Sequence, residues 1–315
     1  MPTDRAARAG GAAVVLALLL ALVAGCRQEN APGQADGGPP TPAATVEALA
    51  TQLQAGDLAG YARAAIPPAL HAELETAWRE GRSRWPLSEL PMAGKVGPLL
   101  AAFAAEGAEQ DLMAAFDRQF AGAERELDAA AESLTLFGVQ YVKDEGEFSD
   151  AERVHYAQVI QALGDWAEAA PLADRARAKA SINRLSAAAR AAGLDEPADF
   201  NALGMQGSLE RVQPFMAATL RTLADYGLDL RQSLDGMQAT DVSEEGDRAV
   251  VEVRYPLAGR TITTRVHLER IDGKWYPSDS IRNARASLAP AAPGDEAAEA
   301  GTPAGDDATR ADQAR

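Results

Sequence analysis

The hydrophobic pattern changes period once along the chain, near residue 237, and this change restricts the fold more than any other feature. From 238 to 277 the period is two. Ala249, Val251, Val253 and Tyr255 alternate with Arg248, Glu252 and Arg254, while Ile262, Val266 and Leu268 alternate with Arg265, His267 and Glu269. Side chains two apart share one face of a strand, so each run has one apolar face. Glu245-Gly246, Ala258-Gly259 and Asp272-Gly273 separate the runs, and Asp-Gly is a strong two-residue hairpin signal. These features predict an antiparallel meander of three or four strands. With a tip at Ala258-Gly259, Tyr255 faces Ile262, Val251 faces Val266 and Ala249 faces Leu268. A one-residue slip would turn every apolar side chain to the wrong face. The same register sets Glu252 opposite Arg265 and Arg248 opposite Glu269, so cross-strand pairing accounts for that charged cluster without a ligand. A second tip at Asp272-Gly273 brings Arg270 beside Trp275, within reach of a cation–π contact.

From about 45 to 236 the common residues are Ala, Leu, Glu, Arg and Gln, all good helix formers. Helices are expected at about 45–55, 57–65, 69–82, 96–105 and 108–143, the last breaking near Gly122 or Gly138. Pro86, Pro91 and Gly94 make 83–94 a loop. Ser149-Asp-Ala-Glu152 is a capping box, opening a helix that carries Val154, Tyr156, Val159, Ile160 and Leu163. Pro171 fits the first turn of the next helix, which Gly193 ends. Segments 209–226 and 228–234 complete the helical part. A faint echo between Leu53-Gln-Ala-Gly-Asp57 and Ile160-Gln-Ala-Leu-Gly-Asp165 is read first as chance similarity in an Ala-rich chain, with a duplicated helical unit as the alternative. The expected fold class is therefore α+β and mainly α. A helical body at about 45–236 packs on a small C-terminal antiparallel β-meander at about 238–277, within a segment 237–285.

The two ends read differently. Residues 26–44 are rich in Pro, Gly and polar residues and read as a flexible tether. Residues 286–315 read as a disordered acidic tail. Before the tether, Arg5 and Arg8 precede an uncharged apolar run of thirteen residues, 12–24. A spanning helix needs about 20 apolar residues, whereas thirteen fits the apolar region of a secretory signal. The run ends Val23-Ala24-Gly25-Cys26, an aliphatic residue, two small ones and the only Cys of the chain. Here the sequence resembles a bacterial lipoprotein precursor. The resemblance implies a signal peptide at 1–25, a diacylglyceryl group on the Cys26 thiol, cleavage before Cys26 and acylation of the new amino group. Arg27 follows where Asp would retain an enteric-type lipoprotein in the inner membrane, which implies the outer membrane. Lipid on Cys26 would then attach the protein to a membrane, facing the periplasm.

Sites for chemistry are sparse. No G-x-S-x-G, S-x-x-K, P-loop or G-x-G-x-x-G motif occurs. Glu152 and His155 have the spacing of half a di-metal site, but no second Glu-x-x-His exists, and capping explains Glu152 beside a surface His. His71 between Glu73 and Glu75 is similarly isolated. The acidic run 144–152 lacks the ligand alternation of a calcium loop. Trp78, Trp85, Trp166 and Trp275 are scattered and read as packing residues. No catalytic, cofactor-binding or metal-binding residue is assigned and no cofactor is expected; the assigned site is lipidation at Cys26.

Charge limits the partners. The net charge is −16, and residues 46–239 hold 29 acids against 17 bases. This excludes unaided binding to nucleic-acid phosphates and disfavours anionic lipid. The Leu53-Gln-Ala-Gly-Asp-Leu58 turn and the closing Asp272-Gly-Lys-Trp-Tyr276 hairpin resemble bacterial lipoproteins of the nuclear-transport-factor-two-like class, which open with helices and end in a curved antiparallel sheet. The resemblance assigns no catalytic residue. The leading expectation is a non-enzymatic periplasmic lipoprotein that binds an envelope protein or small ligand through its helical body. The alternative is a cell-envelope hydrolase, marked by two carboxylates of raised pKa in one cleft.

Deleting residues 290–315 is expected to leave the melting temperature unchanged. Ordering them would cost about 1–2 kcal/mol per residue with no large apolar side chain to bury. Calorimetry of the truncated chain checks this; a melting point lowered by several degrees would mean that the tail is docked.

Overall fold

Thr41 accepts a hydrogen bond from the Ala44 N–H at 3.2 Å, and Pro42 occupies the first helical position, the preferred arrangement for starting a helix. Helix α1 therefore runs Pro42–Gln54, beginning before the expected tether boundary at 44. The computed structural model describes residues 40–90, 96–144, 148–194 and 196–289. The signal segment, Cys26, the tether before residue 40 and the tail from 290 lie outside the described residues.

The architecture is α+β and mainly α. After α1 come α2 (Leu58–Ala64), α3 (Pro68–Arg79), a short 3-10 turn (Leu87–Glu89), α4 (Val96–Ala104) and α5 (Ala108–Gln119). Then follow α6 (Glu124–Asp144), α7 (Asp150–Ala169), α8 (Arg175–Ala192), α9 (Pro197–Asp225) and α10 (Leu230–Asp235). The sheet is β1 (Gln238–Glu245), β2 (Arg248–Leu257), β3 (Arg260–Ile271) and β4 (Lys274–Pro277), in that spatial order, and α11 (Ser278–Ala286) closes it.

The meander has the expected register. Tyr255 pairs with Ile262, Val251 with Val266 and Ala249 with Leu268. Ala258 and Gly259 both have positive φ, as do Asp272 and Gly273, the backbone of the two-residue turns that suit strand twist. Arg270 lies opposite Trp275 with its guanidinium 5.0 Å from the ring centre. Glu252 lies opposite Arg265 as expected, yet its ion pair is with Arg254 on its own strand. On the exposed edge strand β1, the pairing shifts between Asp241 and Ser243, leaving Val242 as a bulge.

Two apolar cores hold the layers together. One joins α1–α3, α8, α9 and α11 around Leu53, Trp78, Trp85, Leu209 and Ile281. The other covers the sheet's apolar face with Val46 of α1, Val159 and Ala162 of α7, Leu220 of α9 and Leu230 of α10. Met216 and Met237 pack against both. Trp78, Trp85 and Trp275 are buried and Trp166 half-buried, so the tryptophans are packing residues.

Several boundaries differ from the sequence reading. The long helix breaks at Gly122, in the left-handed region at φ 75°, while Gly138 stays helical. Helix α8 starts at Arg175 rather than near Pro171, because the Asp174 carboxylate accepts the Ala176 and Arg177 N–H groups at 2.9 and 3.0 Å. Helix α9 starts at Pro197, twelve residues before the expected 209. It bends at Gly204 (φ 71°, ψ −174°). The Glu75 carboxylate of α3 accepts the Met205 and Gln206 N–H groups there, at 3.0 and 3.2 Å, and so caps the second half of the helix. The C-terminal segment is more than a meander, since α11 follows β4 directly and buries Ile281 and Ala284.

Gly204 tests this bend. A Cβ there would lie 2.1 Å from the Glu75 Oε1, in backbone space that is essentially glycine-only. Gly204→Ala is expected to destabilise by about 2–4 kcal/mol. Gly246 also has positive φ but opens to empty space, so Gly246→Ala should cost only about 1 kcal/mol. Urea melts of both variants check the difference; equal losses would mean that the collision with Glu75 is immaterial.

Candidate functional site

Helices α6 and α7 form an antiparallel hairpin lying on the sheet. Close approach between them is made by small residues: a Cβ on Gly164 would sit 2.2 Å from Thr135 Oγ1, and one on Gly138 would sit 3.2 Å from Ile160. Arg153 of α7 donates to the carbonyls of Val142 and Lys143 at 2.5 and 2.7 Å, capping the otherwise unpaired end of α6. The Ser149–Glu152 capping box opens α7. The other side of α7 faces β2 and β3, where Val159 and Ala162 are buried. His155 is buried there as well, with Nε2 3.0 Å from the Tyr255 hydroxyl. The sequence reading of His155 as a surface residue is thus corrected: α7 is covered on two sides.

Helix α6 is the outermost layer. Leu127, Ala131, Thr135, Gly138 and Val142 are half-buried or buried and, at helical spacing, share the side facing α7. A second stripe points away. Leu134, Phe137 and Tyr141 are 69%, 66% and 44% exposed, and at 100° per residue they fall with Ala130 within roughly 60° of arc. Leu136, beyond that arc, is 72% exposed, and Val154 at the start of α7 is 61% exposed. The stripe of Leu134, Phe137 and Tyr141 is exposed apolar surface of the kind that marks interaction sites.

The stripe is held by rings. Phe137 stacks on Tyr141 at 6.2 Å, and Tyr141 meets the edge of Phe148 at 6.4 Å. Phe148 meets Tyr156 at 5.3 Å, Tyr156 contacts His155 at 5.4 Å, and His155 contacts Tyr255 at 6.4 Å. A continuous series of rings therefore runs from the outer surface to the sheet core.

A second polar feature lies in the helical core. Glu89 is buried and accepts the Trp85 Nε1–H at 2.6 Å. Burial pushes its carboxyl up to about 7, against the lowering effects of the Trp85 and Asn283 hydrogen bonds. Burial also raises the neighbouring Tyr61 hydroxyl, with Glu89 adding to the shift and a Ser280 hydrogen bond opposing it. Both line a cavity of about 20 Å³ among Leu53, Leu58, Leu209 and Met216, room for about one water molecule. Among the described residues Glu89 is the one carboxylate lining it.

The remaining sequence candidates separate. Cys26 lies outside the described residues. Glu75 beside His71 serves as the cap of α9, and Glu152 as the cap of α7. Among the described residues no group of three or more His, Cys, Asp or Glu is placed to hold a metal ion. No family model, curated protein or solved structure matches the chain.

Glu89 and His155 give opposed pH responses. The raised Glu89 favours the fold when protonated, so its contribution is full below about 4.5 and lost as pH rises to about 7. Burial lowers His155 to about 4, against the raising effect of Glu152, so its contribution is full above 6.5 and lost as pH falls towards 4. Each amounts to about 3 kcal/mol, and between pH 4.5 and 6.5 they largely cancel. Glu89→Gln should make stability rise with pH across this window, and His155→Gln should make it fall. Denaturant melts at half-unit pH steps check this; parallel profiles in the two variants would refute it.

Proposed function

We propose that this chain is a periplasm-facing envelope lipoprotein, anchored through lipid on Cys26, that acts by binding a partner protein through its helical body. The observation carrying the binding reading is the exposed apolar stripe of α6, built from rigid aromatic residues of the kind that anchor interfaces. The anchor reading is supported by Val23-Ala24-Gly25-Cys26 at the end of the thirteen-residue apolar run. No described helix is long and apolar enough to cross a membrane. Residues 27–41 would span roughly 20 Å as a flexible chain, which keeps the acidic body close to the membrane. The placement of Arg27 after Cys26 favours the outer membrane. The order of helices first and antiparallel meander last is in keeping with the nuclear-transport-factor-two-like lipoprotein resemblance.

The hydrolase alternative rests on paired carboxylates of raised pKa sharing a cleft. Glu89 is raised, but it lines a space of about 20 Å³ that no second carboxylate lines among the described residues. That geometry favours binding over hydrolysis.

Metabolic labelling with a fatty acid is expected to mark the wild type and not Cys26→Ser. Equal labelling of the two, or a wild type that fractionates as soluble, overturns the anchor. A photo-cross-linking residue at position 137 is expected to yield protein adducts in intact cells. No adduct at 137, or the same adducts from position 245 on β1, overturns the binding reading.

A further inference from the structure

We infer that the partner docking on α6 is a basic amphipathic helix; the inference rests on the binding reading above and names its occupant. The stripe of Leu134, Phe137 and Tyr141 matches the width of one helix face, and Glu126 and Asp144 fall along one border of it at helical spacing. The described residues of 124–144 and 148–169 carry nine acids and three bases, net −6. An apolar stripe inside such a field binds an amphipathic helix by its Leu-type anchors and selects basic flanks.

The other occupants fit less well. A second copy would bring the same net negative charge against it, and anionic lipid would repel the same charges. The chain's own tail, residues 290–315, is acidic and lacks large apolar residues, and the segment 27–39 lacks them too. Cross-strand addition at β1 offers no comparable apolar stripe, since Val242 is the exposed large apolar residue there.

The test uses the full chain with Cys26→Ser and three labelled 18-residue peptides: Leu/Lys amphipathic, Leu/Glu amphipathic, and Leu/Lys scrambled to remove the apolar face. Fluorescence anisotropy should show the Leu/Lys amphipathic peptide binding at least tenfold tighter than either other peptide, with affinity falling as salt rises. Phe137→Ser should weaken it tenfold or more. Glu126→Lys with Asp144→Lys should narrow the preference for Lys over Glu, while Glu244→Lys with Glu245→Lys on β1 should not. If the Leu/Glu peptide binds equally well and still depends on Phe137, the docking face stands and the basic partner is wrong. If no peptide responds to Phe137→Ser, the face itself is wrong. A Phe137-dependent dimer in sedimentation, or Phe137-dependent flotation with phosphatidylglycerol vesicles, assigns the face to another occupant and overturns the inference.

Discussion

Val251, Ile262 and Val266 occupy one face of a four-stranded meander, and a sheet of this size is not stable in water with such a face exposed. Its burial organises the molecule. Helix α7 lies across β2 and β3 with Val159 and Ala162, α1 adds Val46, and α9 and α10 add Leu220 and Leu230. Because α7 spends one side on the sheet, only its other side is left for α6. There Gly164 and Gly138 let the two helices approach closely. The outward stripe on α6 is thus a consequence of layering: sheet, α7, α6, and then solvent.

The sheet was legible in the sequence down to the register. Period-two alternation fixes which side chains face the core, and Ala258-Gly259 and Asp272-Gly273 fix where the chain turns, so both constraints are local. The bend in α9 depends on a distant residue. Gly204 and Gly207 argue against a helix over 197–208 when read alone. The structure forms one because Glu75, some 130 positions away, supplies the missing acceptor at the bend. Helix α11 buries Ser280 and only two apolar residues, Ile281 and Ala284, too few to show a period. The start of α8 was misplaced because Pro171 is a permissive signal, whereas Asp174 makes the hydrogen bonds.

The candidate site was half legible. Leu134, Phe137 and Tyr141 have plain i, i+3, i+7 spacing, and so do the residues facing α7. Two apolar stripes on one acidic helix signal two partners, yet from sequence each could equally be core. Only the layering shows that one stripe lacks a neighbour among the described residues. His155 illustrates the same limit. Nothing beside it in the chain reveals that Tyr255, 100 positions later, meets its ring nitrogen.

The bulged, acidic edge of the sheet has a further consequence. Strand β1 presents Asp241, Glu244 and Glu245 around the displaced Val242, and Asp241 takes the Ala43 N–H at the start of α1 at 2.7 Å. A flat, apolar edge would let neighbouring molecules add strand to strand into a growing ladder. Here the middle of the edge is kinked and held to a helix start, and its far end is charged. Molecules held side by side at high local density can therefore collide edge-first without polymerising.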